Sequence, residues 1–189
     1  MQFRSLAIAS LGLAVAGVST FLVLNFYAVP NEAWLLKGGM SLSSDAFANG
    51  TAIPSKYTCK GDNISPPLSW SGSPHSTKSL AVIMEDPDAP SGIFTHWILY
   101  NIPPDVESLG SNQPAGKTIS GIGTQGRNDF GALGYNGPCP PSGSVHHYRI
   151  LVFALDTSVK MQPGLTRADL SRTIMGHVVA SGTLTGTYG

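Results

Sequence analysis

Asp86-Pro87-Asp88-Ala89-Pro90, with Thr95-His96-Trp97 close behind, separates two apolar runs at 79–84 and 94–102. Both runs are rich in β-branched and aromatic residues and are flanked by Pro and Gly, which reads as buried strands joined by a stiff turn. Proline fixes φ and donates no hydrogen bond, so such a turn cannot extend a sheet ladder. The pattern recurs about 50 residues later. Gly137-Pro138-Cys139-Pro140-Pro141 precedes Val145-His146-His147-Tyr148-Arg149, which opens a third apolar run at 148–155. Each segment sets acids, imidazoles or other donors beside prolines at the end of a strand. Rigid loops at strand ends suit a small pocket, and imidazoles, a phenol and free backbone N–H groups can all donate to phosphate oxygens.

Composition narrows the class. The formal net charge is zero and only 12% of residues are charged, so no basic footprint for nucleic acid exists. An apolar fraction of 42% supports a packed core, while 22 Gly and 14 Pro favour a β-rich domain with many turns. No Gly-x-Ser-x-Gly elbow, phosphate loop or metal-ligand spacing is present, which disfavours a hydrolase. The two cysteines, Cys59 and Cys139, lack the paired spacing of structural zinc. They are either a disulfide or two buried thiols, and an oxidising compartment favours the bridge.

Residues 1–30 read as a membrane anchor or signal segment. No charge occurs from Leu6 to Leu24, and Arg4 is the only charged side chain before them. The run is longer than the core of a signal peptide and matches the roughly 20 residues of a span, so an uncleaved anchor is favoured. Arg4 on the short side puts the domain across the membrane, in a periplasm-like space. Residues 31–39 read as a tether and 40–189 as a single domain. Within it, 40–47 is expected as a first strand and 182–188 as a terminal strand. Thr166 with Asp169 forms a capping pair for a helix that places Leu170, Ile174 and Val178 on one face. By the period of two, His96 points with Phe94, Ile98 and Tyr100, while His146 points with Tyr148 and away from His147 and Arg149.

Together with Tyr57-Thr58-Cys59-Lys60-Gly61-Asp62, Ser65-Pro66-Pro67-Leu68-Ser69-Trp70 and Gly182-Thr183-Leu184-Thr185-Gly186-Thr187-Tyr188, these motifs resemble the bacterial branch of the phosphatidylethanolamine-binding protein (Raf-kinase-inhibitor-like) family. The resemblance implies a mainly β fold, a large antiparallel sheet packed on a smaller one with one or two peripheral helices. It implies a ligand pocket of Asp86, His96, His146 and Tyr148 walled by Pro140 and Pro141. Asp88 matches an acid that organises the turn, and His147 stands where many relatives have Arg. The function it implies is a non-enzymatic protein binding a phosphate-like group or phospholipid headgroup, without cofactor or metal. Modulation of a protein partner, such as a kinase or peptidase, is the alternative, and a homodimer is expected by family analogy alone.

Overall fold

The computed structural model describes residues 36–160 and 162–189, so the expected N-terminal anchor lies outside the described residues. The described strands are β1 (Ser41–Ser43), β2 (Leu68–Ser71), β3 (Ser79–Asp86), β4 (Phe94–Ile102), β5 (Ser108–Leu109), β6 (Thr118–Ile119), β7 (Gly123–Gln125), β8 (His146–Leu155) and β9 (Val178–Tyr188). They form a six-stranded sheet in the order β6-β7-β4-β3-β8-β9 and a three-stranded sheet in the order β1-β2-β5, with every pairing antiparallel. One helix, α1 (Arg167–Ile174), completes the described elements apart from a single 3-10 turn at Ser55–Tyr57. Among the described residues no helix is long and apolar enough to cross a membrane.

Every residue of β3 is buried, because both faces of the large sheet are covered. On one face Leu80, Val82 and Met84 join Trp97, Leu99, Ile150 and Val152 against Leu42, Leu68 and Trp70 of the small sheet. On the other, Ala81 and Ile83 join Ile98, Tyr100, Leu151 and Phe153 against Leu165, Leu170 and Ile174. The β-rich expectation therefore holds with two cores, one between the sheets and one under the helix.

The helix starts as the sequence indicates. Thr166 accepts from the Asp169 N–H while the Asp169 carboxyl accepts from Thr166, a reciprocal capping box. It ends earlier, because Met175 is extended and Gly176 has a φ of 80°. Val178 therefore lies on β9 opposite Leu155, although it enters the same core as Leu170 and Ile174. The terminal strand accordingly begins at Val178 rather than 182. The first strand is shorter than 40–47: the Ser44 hydroxyl donates to the Pro67 carbonyl and accepts from Ala46 N–H, which turns the chain after Ser43. Upstream, the Gly38 N–H donates to Ser181 Oγ at 3.0 Å, so the chain is held on β9 before Met40.

Two covalent or ionic ties fix the parts that matter for the cavity described below. Glu85, fully buried, accepts from Arg149 across the β3–β8 pair and from Arg167 Nε of α1 at 2.6 Å. A buried carboxylate requires such partners, since removing one member leaves an uncompensated charge. Cys59 and Cys139 are bonded, with Cα atoms 5.4 Å apart. Around the bridge, Cys59 N–H donates to the Pro138 carbonyl at 3.0 Å and Tyr135 Oη to the Tyr57 carbonyl at 2.5 Å. Gly137 is required there by close approach: a Cβ would stand 2.2 Å from the Tyr57 oxygen.

Replacing Glu85 by Gln leaves two arginines without their shared counter-charge and is expected to cost about 3 kcal/mol in denaturant unfolding. Reduction, or Cys59→Ser with Cys139→Ser, opens a loop with a sequence separation of 80 residues. The chain-entropy relation puts that loss at about 4 kcal/mol, read as a shift of the unfolding midpoint with and without reductant.

Candidate functional site

The register between β3 and β4 shifts at two points, between Leu80 and Val82 and between Met84 and Glu85, and the second shapes the site. Met84 pairs with Trp97 but Glu85 pairs with Thr95, so His96 is an extra residue opposite no partner. Such a β-bulge re-aims a side chain. Strict alternation would send His96 with Ile98 and Tyr100 into the core under the helix. Instead its ring meets the Tyr148 ring at 5.2 Å on the opposite face. That face carries Asp86, His146 and Tyr148 by ordinary alternation along β3 and β8. The expected orientation of His96 is thus corrected, and its correction is what assembles the group.

Asp86, His96, Pro140, Pro141, His146 and Tyr148 line one cavity of about 130 Å³. Ala89, Pro90 and Cys139 add to its walls, and no Lys or Arg lines it. The cavity is small and opens to solvent, a size suited to a phosphate-sized group. A larger, shallower hollow of about 390 Å³ lies beside Trp70, His75 and Glu107. We assign the chemistry to the smaller one, where two imidazoles, a carboxylate and a phenol converge.

Asp86 organises the site from both oxygens. Oδ1 accepts from Asp88 N–H at 2.8 Å, closing the turn, and Oδ2 accepts from His146 Nδ1 at 2.7 Å. The turn-closing role thus falls to Asp86. Asp88 instead accepts from both the backbone N–H and Nδ1 of His147, each at 2.8 Å, on the exposed rim. Those bonds hold the Asp88 carboxyl below its ordinary pKa, the backbone one most strongly.

His96 is 3% exposed, and its Nδ1 lies 2.8 Å from the Asn136 carbonyl. Burial pushes its pKa down, against the opposing effects of that carbonyl, Asp86, the Gly137 backbone and Asp129. Tyr148 is pushed the other way, first by burial and then by the Asp86 charge, so its hydroxyl stays protonated. That hydroxyl is buried and completes no hydrogen bond of good geometry, although Asp86 and the Cys139 backbone lie close enough to act on it. A buried unpaired hydroxyl costs free energy that a ligand could recover.

Several residues of the site carry no obvious sequence signal. Phe130 packs edge-on against Phe94 at 4.9 Å and against His96 at 5.4 Å, forming an aromatic wall. Asn128, 3% exposed, donates to the Gly134 carbonyl and to Asn136 Oδ1 and accepts from Ala132 N–H. It thereby positions Asn136, whose carbonyl orients His96. The Asn-Asp-x-Gly run at 128–131 marks a turn, the only local hint available.

The model of the family described as "Phosphatidylethanolamine-binding protein" matches residues 43–189. The chain belongs to this family. A UPF0098 protein of Methanothermobacter thermautotrophicus is 50% identical over 149 residues, covering 79% of this chain and 98% of the relative. A lipoprotein candidate of Mycobacterium tuberculosis, LppC, is 38% identical over 151 residues, covering 79% of this chain and 72% of the relative. The crystal structure of Escherichia coli YbcL, described as a new member of the mammalian family, superposes with a TM-score of 0.73 at 33% identity, covering 80% of this chain and 98% of that one. Membership in the phosphatidylethanolamine-binding protein family supports a binding-type protein and the two-sheet fold.

A pH dependence of stability follows from His96. Its folded pKa lies below the unfolded value of about 6.5, so the unfolded chain binds the proton more readily. The contribution is fully present above about pH 6.5 and is lost as pH falls from there towards the folded pKa. Asp88 acts only at lower pH, below the ordinary carboxylate range. Urea midpoints measured from pH 7 to 5 are expected to fall, and to fall less in His96→Gln.

Proposed function

We propose that this domain is a non-enzymatic binding protein whose cavity takes a phosphate-like group, free or as part of a phospholipid headgroup. The observation that carries the reading is the Asp86–His146 pair at 2.7 Å facing His96 and Tyr148 in one small cavity. Asp86 holds the His146 ring in place, and Pro140 with Pro141 supplies a wall that cannot swing away. In this reading residues 1–30 anchor the domain on the outer side of a membrane. The apolar N-terminal run, the Cys59–Cys139 bridge and the lipoprotein-like relative support that placement. One feature favours a second reading, a protein partner docked over the cavity: Phe130 and Val145 are 48% and 67% exposed on its loops.

Calorimetric titration of the full chain with inorganic phosphate, O-phosphorylethanolamine and a short-chain phospholipid tests the proposal. His146→Ala is the control, checked for folding by circular dichroism. Saturable binding by the wild type that drops about tenfold or more in the variant is expected, because removing the ring leaves the Asp86 carboxylate without its Nδ1 partner and facing the anion. Failure of every phosphorylated ligand to saturate the wild type would overturn it and move the weight to a protein partner.

A further inference from the structure

A neutral imidazole has one N–H, and its other nitrogen can only accept. In His96 the atom 2.8 Å from Nδ1 is a carbonyl oxygen, so Nδ1 carries the hydrogen. In His146 the atom 2.7 Å from Nδ1 is a carboxylate oxygen of Asp86, with the same consequence. Neither Nε2 makes a hydrogen bond within the described residues. Both rings therefore turn acceptors, not donors, towards a ligand unless a second proton is added.

We propose that the cavity takes phosphate in a form that brings its own hydrogen, a phosphomonoester monoanion, and discriminates against dianions, with His96 Nε2 accepting from the P–OH group. This rests on the reading of the cavity as a phosphate site and narrows it to free phosphate or a monoester, since a phosphodiester headgroup is a monoanion with no P–OH to donate. The surroundings of both rings favour the lower charge. His96 faces Asp86 from β3, His146 and Tyr148 from β8, and Asp129, Phe130 and the Asn136 carbonyl from the loop after β7. His146 faces Asp86 and Tyr148, with the Asp88–His147 pair next to it at the rim. Among the lining residues there is one carboxylate and no Lys or Arg to offset it. A dianion would meet the Asp86 charge and a lone pair of His96 together, in a site where burial disfavours an extra proton on that ring. A monoanion turns the same lone pair into a hydrogen-bond partner, while the protonated Tyr148 hydroxyl remains a donor.

The test is titration of the full chain with methyl phosphate and with sulfate from pH 5 to 8. Sulfate is a dianion throughout and has no hydrogen to offer. Methyl phosphate is expected to bind at pH 5 and to weaken about tenfold per pH unit above its second pKa of about 6, as its competent fraction falls. Sulfate is expected to bind about tenfold or more weakly than methyl phosphate at pH 5, a gap that the amide of His96→Gln, able to donate or accept, should narrow while the Asp86 charge remains. Equal binding of the two anions by the wild type at pH 5 would show imidazolium donation, overturning this inference while leaving the phosphate site intact. An undiminished gap in a folded His96→Gln would remove His96 as the acceptor. If neither anion binds at any pH, the phosphate site itself fails and the inference with it.

Discussion

The site depends on one irregularity in the sheet, the extra residue at His96. Glu85 and Asp86 are neighbours in sequence, and the pleat sends their carboxylates to opposite faces. Glu85 goes under the helix to Arg149 and Arg167, and Asp86 goes to His146. Without the register shift between Met84 and Glu85, His96 would follow Ile98 into the helix-side core, far from Asp86. With it, four polar groups on three strands share one face. The bulge is held because the carbonyl of His96 is occupied by the Asn136 N–H at 3.1 Å and its ring by the Asn136 carbonyl.

Loop stiffness supplies the remaining geometry. The 135–141 segment orients His96 through Asn136 and walls the cavity through Pro140 and Pro141. It is tied to the 57–63 segment by the disulfide, by the Tyr135 hydroxyl and by Gly137 N–H donating to Asn63 Oδ1 at 2.8 Å. Such ties hold the cavity walls in place before any ligand arrives, which lowers the entropy cost of the binding proposed above.

For the anion site proposed above, the charge pattern of the cavity is unusual. It relies on oriented imidazoles and a phenol in place of arginine or lysine. The arginines nearby are committed elsewhere, since Arg149 points to the opposite face and serves Glu85. At the rim, where the family resemblance expects Arg, His147 is paired with Asp88. In the proposed reading, a site built this way recognises hydrogen-bonding pattern and protonation state more than charge.

The sequence by itself determined the β-rich class, the three buried runs, the capped start of the helix and the polar groups gathered at strand ends. Those features follow from local causes: side-chain branching, proline stiffness, the period of two and a reciprocal cap. The alternation also placed His146 and Tyr148 together and Arg149 opposite, because β8 is regular there. Only the tertiary structure decided the aim of His96, because a bulge arises from the mismatch of two strands and leaves no mark on either one alone. The same holds for Phe130, Asn128 and Glu85, whose roles depend on distant partners: the Phe94 and His96 rings for Phe130, Asn136 for Asn128 and Arg167 for Glu85. It also decided where the helix stopped, since the pull of Val178 into the core was satisfied from β9 as well as it would have been from another helical turn.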